Sequence, residues 1–281
     1  MNIRPNDFVL EIGSGHNPKT RSDVLCDKFI DDDEERGGKL VVDRPIVEAD
    51  GQYLPFAENA FDYVICSHVL EHVEDPELLI SELMRVAQRG YIETPSEIGE
   101  RIYGWQYHNW IVNLIDGRLV LQRNDKRAEF GLLFHTLAET DTHWRRFHIL
   151  HHHLFLVQYE WDGKIEYQIV DEDQPPMPGT FLDLQCPETI VELLTSKNAK
   201  QNRNRLLLTL KSTVPRSFVA YIKSFLVKTR KQHAKTLNAK SLYDILVCPK
   251  CKGELTFNEQ NIHCIACKQQ YPIVDGIPRF T

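Results

Sequence analysis

The first hundred residues alternate short apolar runs with one clear helical pattern. "DFVLEIG" (7–13), "DVLCDKF" (23–29), "PIVEAD" (45–50), "FDYVICS" (61–67) and "GYIETP" (90–95) each read as a strand, the third being the weakest. Between the fourth and fifth, "DPELLISELMRVAQR" (75–89) places Leu78, Leu79, Leu83 and Val86 at helical spacing behind an Asp75-Pro76 start signal. Strands separated by helical patterns predict a mostly parallel α/β sheet that takes ligands at the carboxyl ends of its strands.

Beyond residue 100 the texture becomes richer in strand formers. "HNWIVNLIDGRLVLQ" (108–122) and "HLFLVQYEWDGKIEYQIV" (153–170) each set Asp-Gly between β-rich flanks, which predicts two hairpins, one completing the main sheet. The pattern divides the chain into an α/β core (1–100), a β-rich substrate region (101–194), a linker with an embedded helix (195–240) and a small C-terminal module (241–281). Within the linker, Phe218, Tyr221, Ile222, Phe225 and Leu226 form one apolar helical stripe among lysines and arginines. Packing on the core, a membrane surface and RNA are the three partners such a stripe suits.

Composition adds little until charge is followed along the chain. A hydrophobic share of 42% and a charged share of 26% are those of an ordinary globular protein. No signal-peptide pattern opens the sequence and no run reaches a membrane span, so a reducing, cytoplasmic setting is expected, with peripheral membrane attachment as the alternative. The net charge of −7 conceals twelve Lys or Arg and no Asp or Glu between Thr195 and Tyr243, which leaves about −19 on residues 1–194. So acidic a core opposes extended contact with phosphates.

Candidate chemistry begins after the first strand. Glu11 is followed by Gly13-Ser14-Gly15, where glycine lets backbone approach a ligand closely. Asp27 closes the second strand, where a carboxylate can accept from both ribose hydroxyls, and Asp50 in "EADGQYLPF" can accept from an adenine amino group. "VLEIGSG", "EADGQYLPF", "FDYVICSHVLEHVEDP" and "GYIETP", in this order, make residues 8–96 resemble a class I S-adenosylmethionine-dependent methyltransferase. The resemblance implies a Rossmann-like α/β fold. It implies Glu11, Gly13, Ser14 and Gly15 at the methionine end of the cofactor, Asp27 at the ribose, Asp50 and Gly51 near adenine, and Ser67 and His68 beneath the sulfonium. The family has a third small residue and a crossover helix after the first strand. Here Asn17-Pro18 follows, only eleven residues separate Gly15 from Asp27, and Asn17, which tolerates the left-handed region, is expected to stand in for glycine.

Transfer to a hydroxyl or a protonated amine needs a base, for which His68, His72, Glu93 and His108 are the candidates. The amide-methylating Asn/Asp-Pro-Pro-aromatic motif is absent after the fourth strand, where "ICSH" stands instead, and neither Cys66 nor Cys186 has the surroundings of a nucleophile. His143, His148, His151, His152 and His153 form a dense run with no carboxylate at ligand spacing, which suits a polar substrate face or a solvated surface better than a metal.

Cys248, Cys251, Cys264 and Cys267 give C-x2-C-x12-C-x2-C, four thiolates for one structural Zn²⁺, with a redox pair or free thiols the alternative. With "CPKCKGEL" and "YPIVDGIP", the module resembles the small zinc-ribbon proteins that activate tRNA, rRNA and release-factor methyltransferases. The resemblance implies a stabilising or substrate-presenting role in cis, docked near the catalytic domain. The whole chain therefore reads as a methyltransferase acting on an O or N atom of a small molecule, sugar or lipid-linked glycan. An RNA or translation-protein methyltransferase is the first alternative, with membrane or RNA contact through 195–240, and a non-catalytic cofactor-binding scaffold the second.

Overall fold

A computed structural model describes residues 1–34, 38–126, 128–170 and 242–281. The linker 195–240 with its apolar stripe, and Cys186, lie outside the described residues. The chain divides into two compact units. One is built from Met1–Glu93, Tyr159–Ile165 and residues 242–281, and the other from residues 94–158 and 166–170.

In the first unit β1 (Val9–Ile12), β2 (Val24–Asp27), β3 (Ile46–Glu48), β4 (Tyr63–Ser67) and β5 (Arg89–Pro95) form a parallel sheet. β1 through β4 are buried at every position, which is why they read as continuous apolar runs rather than alternating ones. α1 (Pro76–Val86) crosses between β4 and β5 and buries Leu79, Ile80, Leu83 and Val86. Its first turn is held by the Asp75 carboxylate, which accepts from Glu77 N (2.9 Å) and Leu78 N (3.2 Å), a cap worth about 1 kcal/mol. No helix joins β1 to β2. The chain instead folds through residues 13–23 as a loop that the buried Glu11 carboxylate ties down by accepting from Lys19 N and Ser22 Oγ.

The second unit opens with α2 (Glu97–Tyr103), then β6 (Trp110–Ile115) and β7 (Arg118–Arg123). Its helices α3 (Gly131–Thr140), α4 (Thr142–Leu150) and α5 (His152–Phe155) follow. β6 and β7 form the predicted hairpin, and Asp116 and Gly117 both take positive φ, 49° and 76°, as a tight primed turn requires. The segment thus holds the expected strands and adds a helical cluster in which Tyr103, Leu154 and Phe155 pack against Trp105, Phe134 and Trp144.

The second predicted hairpin does not form. β8 (Leu156–Asp162) lies beside β5, giving the order β3-β2-β1-β4-β5-β8, whereas β9 (Tyr167–Val170) joins β7 in parallel. The Asp162-Gly163 turn is present, but Gly163 N donates to Gln88 O (2.7 Å) and Ile165 is fully buried, so the linking residues are anchored and the two strands part.

The C-terminal module is a four-stranded sheet of β10 (Leu255–Phe257), β11 (Asn261–Cys264), β12 (Gln270–Val274) and β13 (Ile277–Pro278). It is part of the first unit. Phe280 N donates to Glu48 O (2.8 Å) and Arg279 pairs with Glu48 in parallel, so the chain just past β13 covers the free edge of β3. A second backbone seam joins Ala57 N to Ile245 O and Val247 N to Pro55 O, both at 2.9 Å. Lys252 Nζ donates to Glu82 Oε2 (2.8 Å) and Leu54 O (3.1 Å).

Candidate active site and metal centre

The carboxyl ends of β1, β2, β3, β4 and β5 bring Glu11, Asp27, Asp50, Ser67, His68 and Glu93 to one end of the sheet. Gly13 takes φ +67°, and a Cβ there would stand 2.3 Å from Val69 Cγ2, so the glycine loop and the turn after β4 are in contact. Gly15, at φ +50°, leaves its Cβ direction open. Ser14 Oγ is buried without a hydrogen-bond partner among the described residues. Asn17 is not among the residues of positive φ, so it does not replace a glycine conformationally. The turn is made by Gly13 and Gly15, and the Glu11 carboxylate holds the following backbone at Lys19.

The short crossover still delivers Asp27 to the glycine loop, where its carboxylate accepts from Gly15 N (3.0 Å) and Phe29 N (3.2 Å). Asp50 caps the 3₁₀ turn Gly51–Tyr53 by accepting from Gln52 N (2.9 Å) and pairs with Lys28 Nζ (2.7 Å). Burial pushes the Asp50 carboxyl up, but Lys28 and Gln52 more than reverse it and hold it below the usual range. Burial dominates at Glu11 and raises its carboxyl despite Ser22 and Lys19. Gly51 is buried beneath Leu79 of α1.

Around His68 the side chains form a connected group. His68 itself has φ +57°, a rare conformation for a residue with a Cβ, and its N–H donates to Glu93 O (2.8 Å). Its Nδ1 lies 3.2 Å from Glu71 Oε1, and its Nε2 lies 3.8 Å from Glu93 Oε1. Glu93 also accepts from Ser67 Oγ (3.0 Å) and Tyr91 Oη, with Lys19 Nζ 3.8 Å away. Burial pulls His68 down, yet the two carboxylates outweigh it and raise its pKa above the ordinary value. His72 is half-buried in the same turn, its N–H donating to Val69 O. Glu71 was not legible as a site residue. Its only signal was the i,i+3 spacing from His68 in "HVLE".

His108 belongs to the second unit, where it is buried against Glu100, with Nδ1 2.5 Å from Oε1 and its ring stacked on Trp105. Of the histidine run, His148 stacks on Phe155 at 4.1 Å between centroids, and burial together with His152 lowers its pKa. Among the described residues these histidines join no metal-like group. Cys26 and Cys66 are buried strand residues whose thiols burial pushes far up, so neither is a nucleophile.

The four C-terminal cysteines converge, with all four Sγ atoms within 4.8 Å of one another. Cys248 and Cys267 are 3.6 Å apart and Cys251 and Cys264 3.4 Å, close to the ~3.8 Å that a tetrahedron of ~2.3 Å Zn–S bonds imposes. Each C-x2-C pair ends in a lysine of positive φ, Lys252 and Lys268, whose N–H donates back to the first cysteine's carbonyl at 2.8 and 3.1 Å. Two such equivalent knuckles present a soft, four-thiolate donor set with no open position, which fits a structural zinc ion. The Tyr271 hydroxyl lies 3.3 Å from Cys248 Sγ and braces the set from outside.

Residues 25–92 match the family model described as "Methyltransferase domain", and residues 239–276 match the one described as "Trm112p-like protein". A UPF0434 protein of Methylobacillus flagellatus is 56% identical over 39 residues, 13% of this chain and 65% of that protein. A demethylmenaquinone methyltransferase of Corynebacterium glutamicum is 27% identical over 122 residues, 41% of this chain and 53% of that one. Among solved structures, an S-adenosylmethionine dependent methyltransferase from Mesorhizobium loti is similar at 14% identity and a TM-score of 0.26, covering 43% of this chain and 58% of that chain. The matched regions span just under two thirds of the small relative and about half of the methyltransferase relative.

Proposed function

We infer that this chain, which belongs to the class I S-adenosylmethionine-dependent methyltransferases and carries a Trm112p-like zinc ribbon on the same polypeptide, methylates an O or N atom of a small molecule, sugar or lipid-linked glycan. The observation that carries this reading is the gathering of the glycine loop, Asp27, Asp50 and the His68 group at one end of a single parallel sheet. Two features support the fit of the cofactor. Ser14 keeps a buried hydroxyl with no partner among the described residues, and Gly15 leaves room where a side chain would stand.

In this reading Gly13, Ser14 and Gly15 hold the methionine end, Asp27 takes the ribose hydroxyls, and Asp50 with Gly51 receives adenine. When bound, the cofactor supplies an electrophilic methyl group on a sulfonium. The chain's own part is alignment and proton handling, since an in-line displacement gains most from fixing donor and acceptor together. Ser67 and His68 line the reacting end, and His72 and His108 are the remaining candidates for acid–base work. The zinc ion holds the ribbon in shape and takes no part in the chemistry.

The ribbon's seam with the β3 edge supports a second reading, an RNA or translation-protein methyltransferase in which the module presents the substrate. The net charge of about −19 over residues 1–194 favours the first. The test is labelled S-adenosylmethionine with the purified chain and fractionated cell extract. Label in a lipid, glycan or small-molecule fraction supports the first reading, and label in RNA or ribosomal protein the second. Saturable cofactor binding with no label anywhere leaves a scaffold, and Asp50→Ala binding the cofactor as tightly as the parent would remove the assigned site.

A further inference from the structure

His68 is held at one ring nitrogen by a group that its own strand does not supply. Nδ1 meets Glu71 Oε1 at 3.2 Å, and Glu71 is fully buried in the turn beneath it. Nε2 looks toward Glu93 Oε1 at 3.8 Å, beyond hydrogen-bond range, so among the described residues that nitrogen is not consumed. The ring is about half exposed, while its backbone is fixed in the left-handed region by Glu93 O. Such a residue is strained into place, oriented on one side and open on the other.

We propose that Glu71 is the positioning residue for His68, fixing the Nδ1–H tautomer so that Nε2 takes the proton of a hydroxyl acceptor. The proposal rests on the methyltransferase reading and narrows it to O-methylation. A protonated amine can give its proton to water, acting as the base, before it attacks, so its base need not be built into the site. A hydroxyl becomes acidic only as its oxygen begins to bond, so its base must stand at the site. The step balances. An acceptor oxygen lone pair forms the O–CH3 bond, the C–S bond of S-adenosylmethionine breaks with its electron pair going to sulfur, and the hydroxyl proton passes to His68 Nε2. From there the half-exposed ring releases it to water. The charged groups facing His68 are Glu71 from its own turn, Glu93 from β5 and Lys19 from the glycine loop.

Long-range ¹H–¹⁵N correlation spectra of the full chain test this without any acceptor. Above its pKa, wild-type His68 is expected as the Nδ1–H tautomer. Glu71→Gln keeps an accepting oxygen but removes the charge, so the tautomer persists while the His68 pKa falls by about 1–3 units. Glu93→Gln, losing a charge farther from the ring, lowers it less. An Nε2–H tautomer in the wild type, or an unmoved pKa in folded Glu71→Gln, would overturn the positioning role. If Glu71→Gln does not fold, the wild-type tautomer decides alone.

Calorimetry with S-adenosylmethionine separates the two levels, since failure to bind removes the methyltransferase reading and leaves the tautomer result standing. The labelled product of the extract experiment completes the test. A base-stable label in a neutral fraction is expected for an ether. Label released as methanol by mild base, or retained on a cation exchanger as an amine, would overturn the hydroxyl assignment.

Discussion

Lys252, the residue that closes the first zinc knuckle, donates its Nζ to Glu82 of α1 at 2.8 Å. The same Glu82 carboxylate accepts from Leu54 N and from Arg85, so one helix residue ties the ribbon to the strand-like stretch after Asp50. Removing the ammonium in Lys252→Met leaves Glu82 with Arg85, and the lysine is about a third exposed, so the expected loss is modest. Chemical denaturation of the full chain should show about 1 kcal/mol, diminished by salt in the wild type and insensitive to salt in the variant.

The pH dependence of that contact has a definite sign. Burial pushes the Glu82 carboxyl up, but Arg85 and Lys252 draw it below the ordinary glutamate value. A depressed folded pKa contributes stability that is present above the unfolded value, about 4.5, and is lost as pH falls through the folded one. Denaturation midpoints of the wild type should therefore drop on acidification below about pH 4.5, and Glu82→Gln should flatten that part of the profile. An identical acid limb in both proteins would mean the carboxylate contributes nothing.

His68 has the opposite sign. Glu71 and Glu93 raise its folded pKa against the downward pull of burial. Their contribution is complete below the unfolded value, about 6.5, and fades as pH rises through the folded pKa. The stability difference between wild type and His68→Gln should shrink steadily as pH rises from about 6.5 through the folded pKa, by a small amount because the ring is half exposed. A difference that grows over that range would contradict the carboxylate cage.

How much of this was legible depended on whether a residue's role was local. β1, β2 and β4 were readable because strands of a buried parallel sheet carry unbroken apolar runs, and α1 because Asp75-Pro76 and its leucine spacing are local signals. The four zinc ligands were readable for the same reason, since each knuckle, Cys248–Lys252 and Cys264–Lys268, is five residues long and complete in itself. The Asp162-Gly163 hairpin failed because the partner of a strand is chosen by tertiary contacts, here those of Gly163 and Ile165. The ribbon's seat on β3 was illegible too. It depends on backbone groups of Pro55, Ala57 and Glu48, which carry no side-chain signature. The eleven residues between Gly15 and Asp27 lack the family's crossover helix, and the structure supplies the reason the loop suffices. Glu11 turns inward and organises it.

Zinc should matter more than any single contact. With the metal removed by a chelator, or in a Cys248→Ser, Cys251→Ser, Cys264→Ser, Cys267→Ser chain, β10–β13 lose their framework and the β3 edge is uncovered. The expected outcome is one equivalent of zinc in the wild type, none in the quadruple variant, and loss of the amide protection of Phe280 and Val247 by hydrogen exchange. Retention of a full equivalent by the quadruple variant would refute the metal centre.

The two glycines of the loop should fail for different reasons. Both have positive φ, which costs an alanine about 1–2 kcal/mol. At Gly13 the new Cβ also lands 2.3 Å from Val69 Cγ2, an overpacking worth about 1–3 kcal/mol more, whereas at Gly15 the nearest atom in that direction is 4.0 Å away. Gly13→Ala should therefore lose about 2–5 kcal/mol of stability and recover part of it when combined with Val69→Ala. Gly15→Ala should lose only the conformational part. If the open direction at Gly15 is where the cofactor lies, this milder variant is nonetheless the one that weakens S-adenosylmethionine binding out of proportion to its stability. Calorimetry on the folded Gly15→Ala chain checks it, and unchanged affinity there would move the cofactor away from the loop.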